Sequence, residues 1–175
     1  MKPMMHVLFV LGVLQTAAVH ADFSGEVVGV LEGDLIEVRH RQQAERIRLN
    51  GIDCPEKGQP FGTGAKQAVI ALVFGKKVTL KIHGLDKYGR TIADVILPEG
   101  TNVSRQLVKD GWCWWYRKYA PHDSILETLE REAKNAKMGL WADAAPIPPW
   151  DFRRNRRGQA PEWIEMDSAP VEVMP

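Results

Sequence analysis

Residues 47–56 read IRLNGIDCPE, a strand-like run that passes directly into an acidic, proline-containing loop. Ile47 and Leu49 alternate with polar neighbours, which is typical of a strand with one buried face. Glu56 follows a proline, so we expect it on a rigid loop with its carboxylate free to act as a base. The stretch therefore predicts a half-buried strand that leads into two carboxylates, Asp53 and Glu56.

Strand-like runs lie on both sides of this stretch. The five predicted strands are GEVVGVL (25–31), LIEVRH (35–40), ERIRLNGI (45–52), KKVTLKI (76–82) and TIADVIL (91–97). Between the third and the fourth, the pattern predicts a helix over 64–74, with Thr63 as its N-cap and Gly75 as its stop.

The chain after the fifth strand is predicted to be helical. Residues 102–109 are predicted to form a short helix. Gly111 can adopt the left-handed conformation that ends it. Ser124 and Glu127 have the spacing of a capping box and open a third helix, which is expected to end at Gly139. Five early strands and three helices predict an α+β fold in which the strands form a small barrel.

Composition limits the class of protein. Of the 175 residues, 23 are Lys or Arg and 22 are Asp or Glu, giving a net charge of +1, and 45% are hydrophobic. These values exclude a collagen-like, disordered or polytopic membrane protein. They also argue against a generally basic nucleic-acid coat protein, although a local basic site stays open. The length fits one domain of roughly 100–150 residues with extensions.

The N-terminus resembles a secretory signal. In residues 1–21, Lys2 precedes an apolar run over 7–14, and Val19 and Ala21 fit the small-residue cleavage pattern. The run is shorter than the ~20 apolar residues that span a membrane. We expect cleavage after Ala21 and export to a periplasm or to the outside of the cell. A short membrane anchor and a buried first strand are the alternatives.

The C-terminal part, residues 143–175, differs in composition from the rest of the chain. It contains a proline-rich run, the basic run FRRNRR (152–157) and an acidic end, without apolar periodicity. These features predict an extended or disordered tail. FRRNRR either contacts phosphates or is a solvated segment.

Cys54 and Cys113 are the two cysteines of the chain, and neither lies in a zinc-binding pattern. In an exported protein an even number of cysteines favours a disulfide, with two buried free thiols as the alternative.

Three polar clusters could carry chemistry: residues 32–34, 48–56 and 86–90. The carboxylates of Asp34 and Asp53 are the oxygen ligands that Ca²⁺ prefers. Arginines such as those at 48 and 90 suit bidentate phosphate contacts. Each cluster alone also fits an ordinary turn or a surface charge, so only their ordered combination indicates a function.

That combination resembles the staphylococcal nuclease family. The motifs are VLEGDLIEV, IRLNGIDCPE, GTGAKQ, KKVTLKI, DKYGR, VSRQLVKDGW and EAKNAKMGLW, and they span about residues 25–142. The resemblance implies an OB-fold barrel of five strands with three helices, in a nuclease domain over 22–142. It further implies a monomeric Ca²⁺-dependent phosphodiesterase that cuts DNA and RNA at the 5′-oxygen–phosphorus bond and leaves 3′-phosphates.

The resemblance also implies roles for individual residues. Asp34 and Asp53 match the calcium carboxylates, and Cys54 matches a ligand that acts through its backbone carbonyl. Glu56 matches the general base, although such a carboxylate can instead orient the water. The remaining roles are the phosphate arginines Arg48 and Arg90 and the terminal-phosphate pair Lys87 and Tyr88. Separately, the aromatic cluster over 114–119 offers rings on which bases can stack, and Tyr119 and Tyr88 are the rings that we expect to contact a substrate.

In this fold Cys113 runs beside the loop of Cys54, which favours the disulfide. The resemblance predicts that Arg48→Ala and Glu56→Gln each abolish most activity and leave the fold intact.

Two departures from the family pattern affect these expectations. The usual Asp-Gly-Asp-Thr reads Glu32-Gly-Asp-Leu35 here, which could alter ion preference, and the loop over 56–61 is short. The rival functions are a non-catalytic binding module on the same barrel and a calcium-binding structural protein of the envelope. The full charged set favours the nuclease, because neither rival needs carboxylates and phosphate arginines together.

Overall fold

The computed structural model describes residues 21–158. The strands are β1 (Phe23–Glu32), β2 (Leu35–His40), β3 (Gln43–Leu49), β4 (Ile52–Asp53), β5 (Lys77–Leu85), β6 (Thr91–Ile96) and β7 (Trp114–Trp115). The helices are α1 (Gly62–Val73), α2 (Val103–Lys109), α3 (Ser124–Asn135) and α4 (Pro149–Gly158), with a 3₁₀ turn over Gly139–Ala142. The predicted signal and the end of the predicted tail lie outside the described residues, apart from Ala21.

Five strands close into a barrel in the order β1-β2-β3-β6-β5. All neighbouring pairs are antiparallel except β3 and β6, which run parallel with Arg48 opposite Ile92. Closure leaves no long unpaired strand edge. The predicted α+β barrel is therefore confirmed, with one more helix than the three expected.

Alternating side chains from the strands fill the barrel. Val27, Ile36, Ile47 and Leu80 are fully buried, and α1 covers the core with Val69. The alternation of the strand sequences thus places one face of each strand in the core and leaves the other for solvent or for the site. Among the described residues, no helix is long and apolar enough to cross a membrane.

Two helix starts differ from the predicted ones. α1 begins at Gly62 after a left-handed Phe61 (φ 66°), so Thr63 is not its N-cap. A side chain at Gly62 would collide with the Glu56 carbonyl, and this close approach fixes the start of the helix. α3 is capped by Asp123, whose carboxylate accepts the N–H groups of the second and third helical residues, rather than by a Ser124 capping box.

A second, two-stranded sheet joins the segment after β3 to the segment after α2. β4 pairs with β7, with Asp53 opposite Trp114. Immediately beside this pair, Cys54 and Cys113 form a disulfide with their Cα atoms 4.2 Å apart. The loop that follows β4 is therefore attached to the segment after α2 by both backbone hydrogen bonds and a covalent bond.

The predicted extended tail is wrong for residues 149–158, which form α4. Trp150 stacks on Tyr116 with ring centroids 5.3 Å apart, and its edge meets Trp114 at 5.7 Å. The Gln59 side chain donates a 2.7 Å hydrogen bond to the Ile147 carbonyl. These contacts come from distant parts of the chain, so the local composition of the tail does not reveal them.

Candidate active site

Most of the predicted site residues lie along a single open groove at one side of the barrel, but Cys54 is not among the residues that line it. Asp34 lies in the β1–β2 turn, Arg48 is near the end of β3, Asp53 ends β4, and Glu56 lies in the loop that follows β4. The groove is also lined by Glu32, Arg90, Lys87, Tyr88, Tyr119 and Arg153.

Arg48 forms the centre of the charged cluster. Its side chain is 17% exposed, and its guanidinium pairs with both Asp34 and Asp53, the latter at 3.1 Å from Nη2 to Oδ1. Burial alone lowers the pKa of Arg48, but the two carboxylates raise it above its usual range. Arg48 therefore stays charged and holds the two acids on one side of the groove.

Asp34 is fixed by a second hydrogen bond. Its Oδ2 accepts the backbone N–H of Cys54 at 2.8 Å, which connects the β1–β2 turn to the loop after β4. Because Cys54 is also bonded to Cys113, this acid is positioned by the disulfide segment.

Asp53 is 1% exposed and binds a guanidinium from α4. Arg153 donates from Nη1 to Oδ1 at 3.2 Å and from Nη2 to Oδ2 at 2.7 Å. Burial raises the pKa of the Asp53 carboxyl, and the hydrogen bonds from Arg153 offset only part of that effect.

Glu56 pairs with the same guanidinium, through Arg153 Nη1. Its loop is held by two further hydrogen bonds, from its backbone N–H to the Gln59 side chain at 2.9 Å and from the Gln59 N–H to its carbonyl at 3.0 Å. Nearby, burial and the charges of Asp34 and Glu56 raise the pKa of Glu32. The groove thus concentrates negative charge at its centre.

Comparison with known proteins identifies the family of this chain. The family model described as "Staphylococcal nuclease homologue" matches residues 46–143. The chain belongs to the staphylococcal nuclease family. It is 44% identical over 136 residues to an uncharacterized endonuclease of Escherichia coli O157:H7, covering 78% of this chain and 88% of that protein.

Two further relatives extend the comparison. A micrococcal nuclease of Shigella flexneri is 40% identical over 143 residues, which cover 77% of this chain and 82% of the relative. A probable staphylococcal-like nuclease of Oryza sativa subsp. japonica is 38% identical over 112 residues, which cover 64% of this chain and 33% of the relative. The family's similarity therefore spans bacterial proteins of similar length and a longer plant protein.

The DKYGR turn places Arg90 beside the groove. Asp86 accepts the Arg90 Nε–H at 2.6 Å and the backbone N–H groups of Tyr88 and Arg90 at 2.8 and 3.0 Å. Although partial burial alone raises the pKa of Asp86, these hydrogen bonds lower it below its usual range. Gly89 takes the left-handed conformation that closes the turn (φ 76°).

Exposed rings stand on either side of the groove. Tyr88 is 70% exposed, with the Lys87 ammonium 4.8 Å from its ring centroid, and Tyr119 is 64% exposed. Trp114 and Trp115, in contrast, are buried in the core. Of the aromatic residues over 114–119, Tyr119 is therefore well placed for contact with a ligand.

The donor set of this site fits a hard cation. No group of three or more His, Cys, Asp or Glu arranged around a metal position is found within residues 21–158. However, the carboxylates of Asp53 and Glu56 already hold one positive group, the guanidinium of Arg153. Carboxylate oxygens are the ligand type that Ca²⁺ takes, but the ion needs roughly six to eight oxygens, so backbone, water or substrate oxygens would have to complete the set.

Arg153 is the site residue that the sequence did not predict. The basic run 152–157 indicated possible phosphate contacts, but nothing in it distinguishes Arg153 from its three arginine neighbours. Arg153 reaches Asp53 across 100 positions of the chain. Arg156 and Arg157 also line the groove, so the packing of α4 decides which arginine pairs with Asp53.

Proposed function

We propose that the protein is an exported Ca²⁺-dependent endonuclease that hydrolyses DNA and RNA at the 5′-oxygen–phosphorus bond and leaves 3′-phosphates. Family membership supports the coarser statement that it is a nuclease. The observation that carries the proposal is the buried Arg48, which joins Asp34 and Asp53 at the centre of a groove that also contains Glu56 and Arg90.

The proposed cofactor is Ca²⁺, held by the carboxylates of Asp34 and Asp53 and by the backbone carbonyl of Cys54. When bound, the ion supplies positive charge that stabilises the charge developing on the phosphate. Buried carboxylates on two connected loops suit this role, because the Cys54 N–H and the disulfide restrict their separation.

Arg48 and Arg90 are the proposed phosphate ligands. A phosphodiester gains negative charge as it becomes five-coordinate, and fixed guanidinium groups stabilise that charge without reorganisation. Arg90 is oriented by Asp86 through its Nε, and Arg48 is oriented by the two buried acids. Arg90 is thus held in place before a substrate binds, whereas Arg48 is bonded to the two acids proposed to hold Ca²⁺ and must turn from them to reach a phosphate.

Glu56 is the proposed general base. It accepts a proton as a water oxygen bonds to phosphorus, the bond from phosphorus to the 5′-oxygen breaks, and the departing oxygen takes a proton from solvent. The Gln59 hydrogen bonds keep this loop in place. Orientation of the water without proton transfer is the other role that a carboxylate here can perform.

The rim of the groove suits a nucleic-acid chain. Lys87 and Tyr88 can hold a terminal phosphate, and the exposed ring of Tyr119 offers a stacking surface for a base. Arg105 and Lys118 line the same groove and add positive charge. The proposed acting unit is a monomer.

The test is incubation of the mature protein with single- and double-stranded DNA and RNA, in Ca²⁺ or in a chelator. We expect cleavage in Ca²⁺, none in chelator, and 3′-phosphate ends by end-group analysis. Nucleic-acid binding without cleavage under every condition would instead identify a non-catalytic module. Fractionation of the producing cells and N-terminal sequencing of the product examine export and cleavage after Ala21 in the same preparation.

Glu56→Gln is expected to lower the rate of cleavage by about 10²-fold, because the amide cannot accept the proton. The substitution keeps the size of the side chain, so thermal unfolding should show a folded protein. Steady-state cleavage at saturating Ca²⁺ measures the effect. Lys57→Gln, on the adjacent exposed position, is the control and should keep the parental rate. Near-parental turnover of Glu56→Gln would remove the general base from the proposal.

A further inference from the structure

We infer that Arg153 is an internal counter-ion that competes with a divalent cation for the acidic centre of the groove. Because Arg153 lies on α4, this helix raises the concentration of divalent cation at which the site is occupied. The inference rests on the proposed function, since it assumes that a divalent cation binds at Asp53.

The contacts of Arg153 carry the inference. One guanidinium makes two parallel hydrogen bonds to Asp53 and also pairs with Glu56. Both oxygens of the Asp53 carboxylate are therefore occupied by a cationic group. A divalent ion binds the same oxygens less favourably while this guanidinium is present, because two positive groups repel each other at contact distance. Arg48 also reaches Asp53 Oδ1, at 3.1 Å, but it leaves Oδ2 to Arg153.

The charge balance explains why a cation occupies this position. Glu32, Asp34, Asp53 and Glu56 lie around the groove, and Arg48 is the other guanidinium paired with acids of this group. Arg153 reduces the remaining negative charge. Burial alone lowers the pKa of Arg153, but Asp53 and Glu56 raise it above its usual range, so the side chain is charged throughout the physiological range.

Helix α4 is held in place by packing, and Arg153 extends from it into the groove. Trp150, one turn before Arg153, packs against Tyr116 and Trp114. The guanidinium itself is the end of a long side chain, which is 35% exposed. Arg153 can therefore leave Asp53 by side-chain rotation while Trp150 stays packed, and the tether keeps its effective concentration high.

Pairing of Arg153 with the acids lowers the apparent affinity of the site for the cation, because the two equilibria are linked. If the arginine-paired state is favoured about tenfold over the open state, the apparent affinity for the cation falls by about the same factor. Removal of the Arg153 charge should therefore tighten cation binding. In the absence of a cation, the same removal should destabilise the fold, because the acids lose their counter-ion.

Isothermal titration with Ca²⁺ tests the inference on three proteins: the parent, Arg153→Gln and Arg154→Gln. Arg154 is the matched control, because it lies on the same helix, is largely exposed and pairs with Asp151 of that helix. We expect Arg153→Gln to bind Ca²⁺ about tenfold more tightly than the parent, and Arg154→Gln to bind it as the parent does.

Thermal unfolding gives a second readout that does not depend on activity. We expect Arg153→Gln to have a lower Tm than the parent in chelator and a larger increase in Tm on adding Ca²⁺. Parental Ca²⁺ affinity in Arg153→Gln would overturn the inference while leaving the proposed nuclease intact. Weaker Ca²⁺ binding with lost turnover would overturn it by making Arg153 a supporting residue of the site. Failure of all three proteins to bind Ca²⁺ would overturn both the inference and the proposed cofactor.

Discussion

Arg48→Ala is expected to lower the rate of nucleic-acid cleavage by about 10²–10³-fold, the usual effect of removing one group that stabilises transition-state charge. The substitution also affects folding. Because Arg48 is largely buried between Asp34 and Asp53, its removal leaves the buried Asp34 without a guanidinium partner, whereas Asp53 keeps Arg153. A loss of about 3–5 kcal/mol in the free energy of unfolding is typical when one member of a buried ion pair is removed. We therefore expect Arg48→Ala to destabilise the fold, whereas the sequence alone predicts that the fold stays intact.

Arg48→Lys separates the catalytic effect from the structural one. Lysine keeps the positive charge near the two acids, so most of the stability should be retained, but it cannot form the two parallel hydrogen bonds of a guanidinium. Cleavage at saturating Ca²⁺ and urea-induced unfolding measure the two effects. Arg46→Lys is the control, because Arg46 is on the same strand, 65% exposed and 3.6 Å from Glu37. Near-parental turnover of Arg48→Lys would show that the forked geometry of Arg48 is not needed.

Loss of the disulfide is expected to destabilise the fold by about as much as Arg48→Ala does. The bond joins residues 59 positions apart, and closure of a loop of that length stabilises the native state by roughly 4 kcal/mol in the chain-entropy description. Unfolding in urea should show this difference between the parent and the double variant Cys54→Ala/Cys113→Ala. We also expect weaker Ca²⁺ binding by the variant, because the Cys54 N–H positions Asp34.

Two controls make the result on the disulfide specific. Thiol labelling of the unfolded, unreduced parent should detect no free cysteine, and two labelled thiols would contradict the bond. Dithiothreitol should destabilise the parent and leave the double variant unchanged. Equal stability of the oxidised and reduced parent would show that the bond contributes nothing measurable to the fold.

The barrel and much of the charged groove follow from local patterns. Alternation around Ile47 and Leu49 identifies a strand, because side chains on a strand face alternate sides. The order of the motifs then predicts that Asp34, Arg48 and Asp53 lie together, and the structure places them within one ion-pair cluster. The helix starts were less predictable, because the backbone of the preceding loop decides the N-cap, as at Phe61 and Asp123.

Periodicity and motif order are local properties of the chain, and they are enough to predict the α+β barrel, the family and most of the charges that line the groove. Long-range packing makes the basic run near the C-terminus form α4 and brings Arg153, rather than Arg154, to Asp53. α4 lacks an apolar stripe of its own, and its position depends on Trp150 packing against Tyr116, a contact between residues distant in the sequence.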